Sequence, residues 1–105
     1  MNEVEFRNWM VGRDVNRKVQ SDTISRIKKI EREIEGCDID EQYRSDHCES
    51  LMSLFRNMGN NKEMKKYPEA DFPIGKYYMS VFRYAIKQYV LFCEECYPQN
   101  LRDQP

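Results

Sequence analysis

Cations at helical spacing are the residues of this chain best placed to do chemistry, and that chemistry is contact with a polyanion. Arg26, Lys28, Lys29 and Arg32 fall within "SDTISRIKKIEREI", off the stripe formed by Ile24, Ile27, Ile30 and Ile34. Lys76, Arg83 and Lys87 stand seven and then four apart in "GKYYMSVFRYAIKQYVLFCEEC", which puts them in a row along one helix face. Lys62, Lys65 and Lys66 lie in the stretch between these two segments. Cations held on rigid helices can meet successive phosphates of a duplex, and each contact releases condensed counterions. The same residues also suit a solvated surface, with Lys28 paired to Glu31 and Lys29 to Glu33. No set of base-reading side chains can be named.

Other chemistries find less support. Cys37, Cys48, Cys93, Cys96 and His47 are numerous enough to hold zinc, but Cys93 and Cys96 close a helix on its apolar face. Structural zinc prefers its Cys-x-x-Cys knuckle on a turn. Buried thiols are expected instead, with no metal and no cofactor. His47 lies one turn from Tyr43 and Leu51, so a partly buried, hydrogen-bonded structural role is expected. Nothing places a nucleophile or an acid beside it. Asp38, Asp40, Asp46 and Glu49 lack calcium-loop spacing. There is no phosphate-gripping glycine loop and no Gly-x-Ser-x-Gly elbow, so an enzyme is not expected.

Helices must position these residues. The first is expected from Asn2 to about Val11, burying Val4, Phe6, Trp9 and Met10 and ending at Gly12. A second opens at "SDT", with Ser21 or Asp22 as cap, and runs to about Glu35 before Gly36 stops it. A third, capped by Asp40, carries Tyr43, Leu51, Leu54, Phe55 and Met58 and ends at "GNN". The segment "NNKEMKKYPEADFP" is irregular, since Pro68 and Pro73 forbid a continuous helix. The fourth spans Gly75 to Cys96, and Pro98 ends it. Its stripe of Tyr78, Phe82, Ala85, Ile86, Tyr89, Phe92, Cys93 and Cys96 recurs at threes and fours. Met52, Met58, Met64 and Met79 are expected as core filler. Of Tyr77, Tyr78, Tyr84, Tyr89 and Tyr97, some must reach the surface.

Length and composition bound the rest. At 105 residues the chain reads as one helical domain over 1–97 with a tail at 98–105. No apolar run approaches the roughly 20 residues of a membrane span, and acids stand where a signal peptide would carry cations. A cytoplasmic protein is expected. The net charge of −1 announces no nucleic-acid binder, but charge is segregated. Residues 37–60 carry three net negative charges and residues 61–92 three net positive ones.

The segments "FRNWM" (Phe6 to Met10), "SDTISRIKKIEREI" and "YMSVFRYAIKQYVLFCEE" (Tyr78 to Glu95) together resemble the N-terminal core-binding domain of tyrosine recombinases, the phage integrases. Related domains stand in front of restriction-type nuclease modules. The resemblance implies an all-α, compact four-helix fold of the SAM-like type and contact with double-stranded DNA. Carried onto this chain, the contacts would fall to Arg26, Lys28, Lys29, Arg32, Lys76, Arg83 and Lys87. The Arg-His-Arg cluster and nucleophilic Tyr of recombinase catalysis are not in these residues, and the family's domain is usually more basic. The alternative expectation is a protein–protein module, either a homo-oligomer or a partner-binding adaptor, that keeps the fold without binding DNA.

Overall fold

The helical periodicity of the sequence becomes five α-helices in the computed structural model, which describes residues 1–76 and 79–97. They are α1 (Glu3–Gly12), α2 (Arg17–Glu33), α3 (Ile39–Asp46), α4 (Glu49–Ser53) and α5 (Ser80–Cys96), with 3-10 turns at Arg56–Gly59 and Met64–Lys66. No strand occurs among the described residues, so the chain is all-α. The expectations for Tyr77, Tyr78, Pro98 and the tail at 98–105 lie outside the described residues.

α2 and α5 pack together at the centre, and α1 lies against both. The isoleucine stripe of α2 is fully used: Ile24, Ile27 and Ile30 are buried, and Ile34 follows just past the helix end. They meet the stripe of α5, where Phe82, Ala85, Ile86, Tyr89, Phe92 and Cys93 are all buried. Full burial of each such aromatic or branched side chain contributes about 1.5–3 kcal/mol, which makes this seam the main source of stability. Cys96 leaves the stripe and is exposed. On α1 the buried pair is Phe6 and Met10, not the four residues expected. Trp9 is only half-buried and donates its indole N–H to Glu95 Oε1 at 2.9 Å, while Val4 is 72% exposed. Val4 lies two positions from Phe6 on the helix, on the face turned from α5.

Three starts differ from the sequence expectation: α5 begins at Ser80 rather than Gly75, and at the other two different caps win. α2 opens at Arg17, since the Asn16 side chain accepts from the Val19 amide at 2.9 Å; Ser21 and Asp22 lie inside the helix. α3 is capped by Asp38, whose Oδ1 accepts from the Asp40 amide at 3.0 Å. Asp40 is thereby released for a different task. Its carboxylate accepts from the buried Tyr89 hydroxyl at 2.5 Å and stands 3.0 Å from the Met1 amino group. Tyr89 in turn accepts from the Asn2 amide at 2.8 Å, and Glu31 Oε2 accepts from the Ile39 amide at 3.0 Å. One polar node thus ties the start of α1 to α2, α3 and α5.

The single third helix expected from Asp40 to Met58 is broken. His47 and Cys48 both adopt left-handed backbone (φ 56° and 64°) and close α3, with the Cys48 amide reaching the Gln42 carbonyl at 3.1 Å. Asp46 then restarts the chain: its carboxylate accepts from the Glu49 and Ser50 amides and from the Ser50 hydroxyl, at 3.1, 3.0 and 2.6 Å. A second left-handed pair, Asn57 and Met58, ends the region, and Met58 is exposed rather than core filler. Met64 and Met79 are buried as expected, and Met52 is half-buried.

Candidate nucleic-acid interface

The α2 cations line a basic groove beside a cluster of aromatic rings. Arg26, Lys28, Lys29 and Arg32 line an open groove of about 390 Å³ with Asp22, Ser25 and, from α5, Phe82. The side chains share this surface because they recur every three or four residues, while the isoleucines between them are drawn into the core. Lys29 Nζ stands 5.7 Å above the ring of Phe72. Phe72 meets Phe82 edge-on at 5.1 Å, and both pack on Phe55, at 5.3 and 5.4 Å. The ammonium group of Lys29 thus faces the ring of Phe72, within the range of a cation–π contact.

Acidic neighbours trim the positive charge unevenly. Lys28 pairs with Glu3 of α1 at 2.8 Å, not with Glu31, and that hydrogen bond holds the Glu3 carboxyl below its usual range. Arg32 pairs with Glu33 at 3.5 Å. Glu33 is also held low, first by a backbone hydrogen bond: its Oε1 accepts from the Asp71 amide at 2.8 Å. It therefore clips the segment carrying Phe72 onto α2, where a pairing with Lys29 had been expected. Among the described residues no ion pair engages Arg26, Lys29, Lys76, Arg83 or Lys87.

The second expected row is not a single helical face. Lys76 lies ahead of α5, in a turn where its amide donates to the Pro73 carbonyl at 3.1 Å and Gly75 takes φ 84°. That third position of the turn needs positive φ, which glycine adopts without cost. Arg83 and Lys87 are on α5, half-buried and exposed. Neither lines the α2 groove. Lys87 instead borders a mainly apolar depression of about 450 Å³ with His47, Met52, Gln88, Val90 and Leu91. Lys62 and Lys66 line a third, polar groove with Arg56, Glu49 and Glu63, where Lys66 and Glu63 pair at 3.1 Å.

His47 is exposed and stacks on Tyr43 at 4.8 Å, in place of the partly buried role expected. Cys48 and Cys93 are buried, and burial pushes both thiols up to about 12. Cys37 is pushed to about 11 for the same reason. All four thiols are free, and among the described residues no three His, Cys, Asp or Glu side chains converge as metal ligands. No described helix is long and apolar enough to cross a membrane.

Sequence reasoning did not name Phe72, Phe82 or Arg56 as site residues. Phe82 was read as core only, and the place of Phe72 beneath Lys29 depends on the Glu33 clip, which no local pattern announces. Comparison with known protein families, with curated proteins and with solved structures finds no match.

Proposed function

We propose that this chain is a non-catalytic module that contacts double-stranded DNA through its phosphates. The observation that carries the reading is the α2 groove, in which four cations of one helix stand beside Phe82, with Lys29 above the ring of Phe72. Arg26 and Lys29 are the principal contacts because neither is engaged by a carboxylate within the described residues. Lys28 and Arg32 contribute after exchanging Glu3 and Glu33 for phosphate. A four-helix SAM-like arrangement of the integrase core-binding kind belongs to the same proposal, with α3 and α4 standing for one interrupted helix. Double reversal, Arg26→Glu with Lys29→Glu, is expected to abolish duplex binding and leave the far-ultraviolet circular dichroism unchanged. Retained affinity in a folded double variant would contradict the assignment.

A protein–protein reading has its own observation. The depression beside Lys87 is mostly apolar, and Leu91 at its edge is 37% exposed. Such a surface suits a second copy or a partner helix. Under that reading Leu91→Asp would turn an oligomer into a monomer in light scattering. A wild-type chain that is monomeric at high concentration would remove the homo-oligomer.

A further inference from the structure

Two turns press against each other and hold up an exposed apolar pair. In the first, Asn57 and Met58 both adopt left-handed backbone, at φ 52° and 53°. In the second, Gly75 donates its amide to the Met58 carbonyl at 2.7 Å. Gly59 lies between them at φ 82°, and a Cβ there would stand 2.8 Å from Met79 Cε and 3.3 Å from Ile74 Cγ1. Asparagines brace the first turn. Asn57 Nδ2 donates to the Asn60 carbonyl at 3.0 Å, and Asn61 Nδ2 donates to the carbonyls of Leu54 and Arg56 at 3.0 and 2.8 Å. Asn61 Oδ1 accepts from the Met64 amide at 2.8 Å. Met58 and Ile74 nevertheless remain 46% and 43% exposed. Arg56 precedes Met58 by two residues and Lys76 follows Ile74 by two.

The chain links this tip to the ring beneath Lys29. Ile74 is two residues from Phe72, the ring beneath Lys29, and two peptide units span at most about 7 Å. An apolar point with a cation two residues away in each of its turns suits a surface that is anionic outside and apolar within. Stacked bases between phosphate rails are such a surface, and methionine and isoleucine are among the side chains that wedge between base steps from the minor groove. Bracing matters here, because a backbone already held by hydrogen bonds has little freedom left to lose on insertion. We propose that Met58 and Ile74 form a wedge that enters the minor groove of the duplex held by the α2 cations and partly unstacks a base step. The proposal rests on the DNA-contact reading of α2.

The test uses the full chain and a short duplex carrying 2-aminopurine at a central TA step, the kind of step most easily unstacked. Wild type is expected to raise the 2-aminopurine fluorescence on binding. Met58→Ala with Ile74→Ala is expected to bind with similar affinity and lose that rise. Arg26→Glu with Lys29→Glu is expected to lose binding itself, which separates the wedge from the phosphate contacts. Binding by wild type with no change in 2-aminopurine signal would overturn the wedge and leave the phosphate reading standing. So would a double alanine variant that keeps the full rise. If wild type binds no duplex at low salt, both readings fall. Binding to anionic vesicles that Met58→Ala with Ile74→Ala abolishes would then assign the tip to a lipid surface.

Discussion

At the scale of single residues, local conformational rules yield where tertiary contacts compensate. Left-handed backbone costs an L residue about 1–2 kcal/mol, and this chain carries it at His47, Cys48, Asn57 and Met58, besides Asp14. At Met58 the cost is not offset by burial, since the side chain is half in solvent. Relief of that strain, less the roughly 0.4–1 kcal/mol by which glycine frees the unfolded chain, is expected to let Met58→Gly stabilise the fold by about 0.5 kcal/mol, raising the melting temperature by roughly 2–4 °C. The same variant is expected to unstack DNA less than wild type, so stability and function would move in opposite directions. A melting temperature that falls would show that the Met58 side chain holds the turn together. Val4 and Met58 show why single positions are hard to read: both are apolar at plausible core spacings, and only the packing of the neighbouring element decides their exposure.

At the scale of elements, the strongly periodic segments were legible and the interrupted ones were not. The stripes of α2 and α5 repeat over several turns, so their buried faces followed from spacing alone. The break between α3 and α4 was missed because neither left-handed residue is a glycine. The usable signal was Asp46 followed three residues later by Glu49, the pattern of a new helix start. Asp46→Ala is expected to cost about 1 kcal/mol by removing the acceptor of two orphan amides. The carboxyl is held below its ordinary range, first by the Ser50 hydroxyl and then by the amides of Ser50, Glu49 and Cys48, against opposing desolvation. Its contribution is therefore complete above the unfolded value near pH 4 and is lost as pH falls through the lower folded value. Asp46→Asn should flatten the acid limb of the stability profile, and an unchanged limb would exclude this origin. The node at Tyr89 makes the complementary point between elements. Tyr89→Phe leaves the Asn2 amide and Asp40 without their shared hydroxyl, and is expected to cost about 1–2 kcal/mol in denaturant titrations. A loss near zero would mean that water replaces the hydroxyl freely.

At the scale of the whole molecule, charge distribution matters more than net charge. With a formal charge of −1, the chain has no long-range field to draw in a duplex, so binding must come from local cations and must be sensitive to salt. The candidate site was half legible on these terms. The α2 cations stood out as a row, whereas Lys76, Arg83 and Lys87 were joined by spacing into a face that the fold divides between a turn and a separate depression. The molecule measures 38 × 35 × 20 Å, so its broad face is about as long as one turn of B-DNA, roughly 34 Å. That is room for the α2 groove and the Met58 tip to lie along one duplex. The most direct test is a fluorescence-anisotropy titration of a short duplex at rising salt. Four α2 phosphate contacts predict a log–log slope of about −3 to −4, and hence roughly a hundredfold loss of affinity between 50 and 200 mM salt. An affinity that does not change with salt, or no binding at the lowest salt, would contradict phosphate contact and leave the apolar depression beside Lys87 as the functional surface.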